Sequence, residues 1–217
     1  MARRQHRPDR SISNGWWTAC RDRRQRRGYD WGSEGAGAGP CRETSTALVP
    51  ATRYGQAKNA LRRHLAESDR GLSWAWARLF HLFGPGEDRR RLVPSIALAL
   101  LDERPALCTA GTQQRDFMDA RDAGAALTAL VDAPVEGPIN IASGKAVAVA
   151  EIANALGRIA GRPELIRLGA LPQRPGDPPL IVADTQRLAR ELGFRPRYDL
   201  RNGLVHCWNW WKDARRR

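Results

Sequence analysis

The chain has 217 residues, room for one ordinary domain and a small appendage but not for two of full size. Its 42% apolar and 27% charged residues describe a foldable globular chain, and no stretch approaches the roughly 18–20 consecutive apolar residues that a spanning helix requires. The net charge of +13 invites a nucleic-acid reading, but nine arginines against two aspartates place +7 within residues 1–28, the last six residues add +3, and residues 29–211 carry only +3.

Residues 1–28 show neither helical nor strand periodicity, and GSEGAGAGP at 32–40 has the composition of a flexible linker. Beyond it, Pro50 can open a helix. Ala51, Tyr54, Lys58, Leu61 and Leu65 then recur every three or four positions, predicting a helix over about 50–68. Leu72–Phe80 reads as a strand, Gly84-Pro85-Gly86 as a turn and Leu92–Asp102 as a helix. Short strands are expected near 106–109 and 116–118, then a helix over about 120–132, a buried strand at 138–142 and a helix at 149–160. A strand at 165–168, a proline-rich loop at 169–181, a helix at 185–192 stopped by Gly193 and a last helix at 200–211 complete the pass. Alternating strands and helices predict an α/β fold with parallel pairing.

The four cysteines, at 20, 41, 108 and 207, form no CxxC pair, and the four histidines form no HxxxH pair, so no metal site is expected. The arginine-rich start has no apolar run behind it and does not read as a signal peptide, which makes a reducing cytoplasm the expected compartment.

The feature that carries chemistry is Tyr54-Gly-Gln-Ala-Lys58, a YxxxK one helical turn long. With three lysines and three tyrosines in the chain, an accidental match is expected only ~0.04 times. A phenol of ordinary pKa about 10 is a poor base at neutral pH, and a neighbouring ammonium favours its phenolate. Such a pair can exchange a proton with a sugar hydroxyl or ketone while a nicotinamide exchanges the hydride.

Seven segments then stand in an order that resembles a known family: YDW at 29–31, CRETSTALVPATRYGQAK at 41–58, RLFHLFGPGE at 78–87, RLVPS at 91–95, RDFMDARDAG at 115–124, GPINIASG at 137–144 and RPGDPP at 174–179. Together they resemble the extended short-chain dehydrogenases/reductases, in the NAD-dependent epimerase/dehydratase branch that modifies nucleotide sugars. The resemblance implies the C-terminal part of a Rossmann-like, doubly wound parallel sheet with a small α/β substrate-binding domain. It implies Tyr54 as acid/base, Lys58 as the lysine that holds the nicotinamide ribose, and Phe80 beside the nicotinamide. His81 stands where many members have an asparagine near the sugar. The nucleotide-diphosphate site maps onto Arg91, Leu92, Val93, Arg115, Phe117, Arg174 and Asp177. Asn140 and Ser143-Gly144 are expected to shape a strand end.

The resemblance also divides the chain: a basic leader outside the family pattern at 1–28, a remnant of the dinucleotide-binding domain interleaved with substrate-domain segments at 29–145, mainly substrate domain at 146–211, and a basic tail at 212–217. The family's glycine-rich turn, GxxGxxG after a strand and before a helix, has no counterpart, since RRQRRGYDW precedes GSEGAGAG and a proline follows it. The place of the family's catalytic serine or threonine is taken by Arg26, Arg27 and Gly28. The chain thus reads as N-terminally truncated, its leader of another origin such as a different reading frame. The cofactor implied is NAD or NADP, and weak or no binding of it is expected. The partners implied are a nucleotide sugar and a second copy paired through the YxxxK helix. Two other readings are a catalytically inactive nucleotide-sugar-binding protein and a nucleic-acid-binding protein acting through its basic ends, for which solvated tails are the simpler account.

Overall fold

In Val149–Ala160 the local sequence decides where a helix starts, which face it buries and where it stops. Glu151 accepts the backbone N–H of Ala148 at 3.3 Å, satisfying a donor at the start. Ile152 and Leu156, four apart, are fully buried, each removal from water contributing about 1.5–3 kcal/mol. Gly161 ends the helix with φ +70°, in the left-handed region that suits glycine.

The structure, a computed structural model, describes residues 39–50, 52–67 and 73–216. The leader at 1–28, YDW at 29–31 and most of the glycine-rich linker lie outside the described residues. In chain order the elements are α1 (Arg53–Glu67), β1 (Ala75–Leu79), β2 (His81–Phe83), α2 (Leu92–Leu101), β3 (Ala106–Leu107), β4 (Gln114–Asp119), α3 (Ala120–Asp132), β5 (Gly137–Ile141), β6 (Ala146–Ala148), α4 (Val149–Ala160), β7 (Ile166–Arg167), β8 (Leu180–Ile181), α5 (Gln186–Arg190) and α6 (Leu200–Arg216). A 3-10 turn at Pro163–Leu165 leads into β7.

The strand expected over Leu72–Phe80 is shorter, as β1, and a further strand, β2, follows it at once in another sheet. β1 pairs with β5 in parallel, Ala77 opposite Ile139, whereas β2 pairs with β4 in parallel, His81 opposite Phe117. The backbone N–H of Phe80 still reaches the Ile141 carbonyl at 3.3 Å, so Phe80 is the residue at which the chain leaves one sheet for the other. β4 also takes β8 in parallel and β6 in antiparallel fashion, and β3 pairs with β7 in parallel. The fold is α/β with mostly parallel pairing, as the sequence predicts. β2, β6 and β8 are additions: at two or three residues each they are too short to carry a readable period. The last helix continues past Trp211 to Arg216, through the stretch read as a tail.

Two apolar clusters hold these elements together. One joins α2, α4 and α6 through Val93, Ile96, Leu100, Ile152, Leu156, Leu204 and Cys207. The other packs α3 and α5 on β1, β4 and β5 through Ala77, Met118, Ala126, Leu130, Ile139 and Leu188. Between them runs β4, which positions most of the candidate site.

Candidate nucleotide-sugar site

Alternation along β4 separates two jobs. Arg115 and Phe117 project to one face while Asp116 and Met118 project to the other. Because Phe117 lies opposite His81 in the ladder, their rings meet at a centroid distance of 5.3 Å, and Phe117 also meets Phe83 edge-on at 6.4 Å. Phe80, half-buried, adjoins this group at the C-terminal end of β1. In parallel α/β sheets that end is where ligands are received.

Arg115 has a side chain only 3% exposed, and its Nη2 pairs with Asp177 Oδ1 at 2.9 Å while Nη1 donates to the Gln114 carbonyl at 2.7 Å. Burial pulls its guanidinium below the ordinary value, with Asp177 opposing the shift. Asp177 is brought there by the proline-rich loop. Its backbone N–H donates to the Arg174 carbonyl at 3.2 Å, across a bend that Gly176 permits at φ +67°. The loop is fastened at both ends, Leu171 N–H to the Cys108 carbonyl at 3.0 Å and Gln114 N–H to the Pro179 carbonyl at 2.8 Å. Arg115 and Asp177, 62 positions apart in the chain, therefore meet, and Arg174 stands in the same loop three residues before Asp177.

Arg91 stands at the N-cap of α2 and pairs with Glu87 at 3.4 Å. Leu92 packs against the first apolar cluster and Val93 is buried within it. Their side chains are thus committed to packing, and what they can offer a ligand is the backbone N–H groups of a helix's first turn.

Tyr54 and Lys58 lie one turn apart on α1, with Lys58 Nζ 5.5 Å from the centre of the Tyr54 ring. Both are half-buried, the Tyr54 hydroxyl is shielded from solvent, and α1 has no fully buried residue. The segment leading to α1 is anchored through Glu43, whose Oε1 accepts the Asn140 backbone N–H at 2.9 Å, and through Cys41, whose carbonyl accepts Asn140 Nδ2 at 2.8 Å. Asn140 Nδ2 also donates to the Asp184 carbonyl at 3.1 Å. Its contacts are those of a strand-end brace.

Sequence reasoning did not single out Asp116. Fully buried, it accepts the Ser143 N–H at 2.8 Å, the Ser143 hydroxyl at 2.6 Å, the Gly144 N–H at 2.9 Å and the Ala183 N–H at 3.2 Å. It ties the turn after β5 and the stretch just past β8 to β4, next to Arg115. Asp119 and Asp122 act likewise: Asp119 caps α3 through the Arg121 N–H at 2.9 Å, and Asp122 accepts the Tyr198 N–H at 2.9 Å. Their one trace in the sequence is a set of three acids, each three residues apart, a pattern that a solvated face gives equally. Among the described residues no three His, Cys, Asp or Glu side chains gather as a metal site would require, and no helix is long and apolar enough to cross a membrane.

Comparison with known proteins bears on the fold and the family. The model of the NAD dependent epimerase/dehydratase family matches residues 16–142, beginning ahead of Tyr29 within the basic leader. A UDP-glucose 4-epimerase of Halalkalibacterium halodurans is 26% identical over 195 residues, covering 79% of this chain and 58% of that protein. A dTDP-4-dehydro-6-deoxy-D-allose reductase of a Streptomyces species is 29% identical over 180 residues, covering 81% of this chain and 53% of its own length. The chain thus spans a little over half the length of these relatives. The fold is shared with the Thermus thermophilus UDP-glucose 4-epimerase crystallised with NAD, at TM-score 0.74 and 23% identity over 86% of this chain and 62% of that one. This chain belongs to the NAD-dependent epimerase/dehydratase family.

Proposed function

We propose that the chain supplies the tyrosine and the nucleotide-sugar side of an NAD(P)-dependent epimerase, dehydratase or ketoreductase. The observation that carries the reading is the stacking of the Lys58 ammonium 5.5 Å from the Tyr54 ring on one face of α1. The two curated relatives act on different sugars by different reactions, yet both names specify a nucleoside-diphosphate sugar.

Tyr54 exchanges a proton with a hydroxyl or carbonyl oxygen of the sugar, and the positive charge of Lys58 stabilises the phenolate side of that exchange. Arg115, held rigid by Asp177, and Arg174 on the exposed loop grip the diphosphate, which asks for planar donors that never lose their charge. The first-turn N–H groups of α2, beside Arg91, add donors of the same kind. Phe117 and His81 form an aromatic floor between the sugar and diphosphate ends.

The residues on hand for a dinucleotide fit its nicotinamide end: Tyr54, Lys58 and Phe80, the last held at the C-terminal end of β1. The sequence offers no glycine turn for the pyrophosphate end. When bound, NAD or NADP supplies the hydride acceptor and donor. A second reading, a nucleotide-sugar-binding protein without turnover, is favoured by the contrast between a buried Arg115 paired with Asp177 and an α1 with no buried residue.

The test is calorimetric titration with NAD and with UDP, then turnover assays with UDP-sugars and NAD. Turnover that Tyr54→Phe lowers by about 100-fold or more, with UDP affinity kept, supports the enzyme reading. Binding of UDP without NAD binding or turnover selects the second.

A further inference from the structure

The C-terminal ends of α2 and α6 enclose a cleft of about 340 Å³ that contains none of the residues assigned above. Its walls include Arg89, Leu98, Asp102, Arg104, Trp211 and Arg215. Asp102 pairs with Arg104 at 2.6 Å and with Arg215 through its other oxygen. Arg89 lies 6.0 Å from the Trp211 ring centre and has no carboxylate partner among the described residues. Three guanidinium groups thus face one carboxylate, leaving an excess of two positive charges in a concave site.

Beside this charge the cleft has an apolar wall of Leu98 and the Trp211 ring. A phosphate dianion matches the charge excess, and guanidinium forks match its oxygens. The cavity is at the small end of ligand pockets, with space beyond a phosphate for a compact ring or chain.

We infer that the chain has a second ligand site, between the C-terminal ends of α2 and α6, for a phosphate dianion. Free phosphate and a small phosphate monoester share this chemistry, and the ring or chain of a monoester rests on Trp211 and Leu98.

The experiment titrates the full chain calorimetrically with inorganic phosphate and, separately, with phenyl phosphate. Saturable binding is expected, tighter for phenyl phosphate if the natural ligand is a monoester and equal for the two if it is free phosphate. The double variant Arg89→Gln/Arg104→Gln, checked for an unchanged melting curve, weakens either ligand by about tenfold or more. Arg174→Gln, at the diphosphate loop, leaves the binding within about twofold, which separates this site from the nucleotide-sugar site. The inference is overturned by no saturable binding at about 10 mM ligand. Undiminished affinity in the double variant, or loss of the binding in Arg174→Gln, overturns it equally. If duplex DNA binds with steep salt dependence through the same arginines and phosphate does not compete, the small-ligand site is likewise rejected.

Discussion

Arg115 and Asp116 are neighbours in sequence and opposites in role. Arg115 turns toward the loop that carries Arg174 and Asp177, and Asp116 turns away and braces the backbone behind it. Replacing Asp116 by Asn puts an NH₂ donor among three N–H groups and a hydroxyl. The expected cost is about 1–3 kcal/mol of stability in urea denaturation. That Tyr54 and Lys58 share one face of a helix was legible because their spacing is a helical turn. The brace was not, because acids at 116, 119 and 122 look like solvated charge until the fold wraps apolar segments around them. Val93 shows the converse: a position assigned to the ligand by resemblance has a side chain wholly given to packing.

Elements show where local pattern suffices and where it does not. α3 begins and ends where the sequence predicts, since Asp119 caps it and an apolar stripe at Ala123, Ala126 and Leu130 runs through it. The second strand just past Phe80 was invisible, because the three residues His81–Phe83 carry no readable period and do not say which strand they will pair with. α6 packs close to β2 and β4 at Gly203, where an added Cβ would sit 2.7 Å from the Phe83 ring and 2.8 Å from Asp119 Oδ2. Gly203→Ala is expected to destabilise by about 1–3 kcal/mol, the cost of overpacking, read as a lowered urea midpoint with unchanged slope. On α1 the exposed Leu61 lies on the helix through which the family resemblance implies pairing. If α1 forms a dimer, Leu61→Glu shifts the sedimentation of the full chain toward monomer.

At the scale of the whole molecule, the +13 charge that opened the question of nucleic acids belongs mainly to the two ends, while the body is an α/β unit of nearly balanced charge. Its packing can be read chemically. Cys41, Cys108 and Cys207 are buried free thiols, and burial pushes Cys41 and Cys207 up to about 12. At pH 8 these three are expected to resist a thiol reagent until the chain is unfolded. A thiol whose folded value lies above its unfolded value favours the protonated native state, so this contribution is intact below pH 9 and is lost as pH rises from 9 toward 12. The central claim is that Arg115, Arg174 and Asp177 form a working nucleoside-diphosphate site. Its most direct measurement is calorimetric titration of the full chain and of Arg174→Gln with UDP and dTDP. The account expects saturable binding of at least one nucleotide by the unaltered chain and an affinity about tenfold or more lower in Arg174→Gln. No binding of either nucleotide, or equal affinity in the variant, would contradict it.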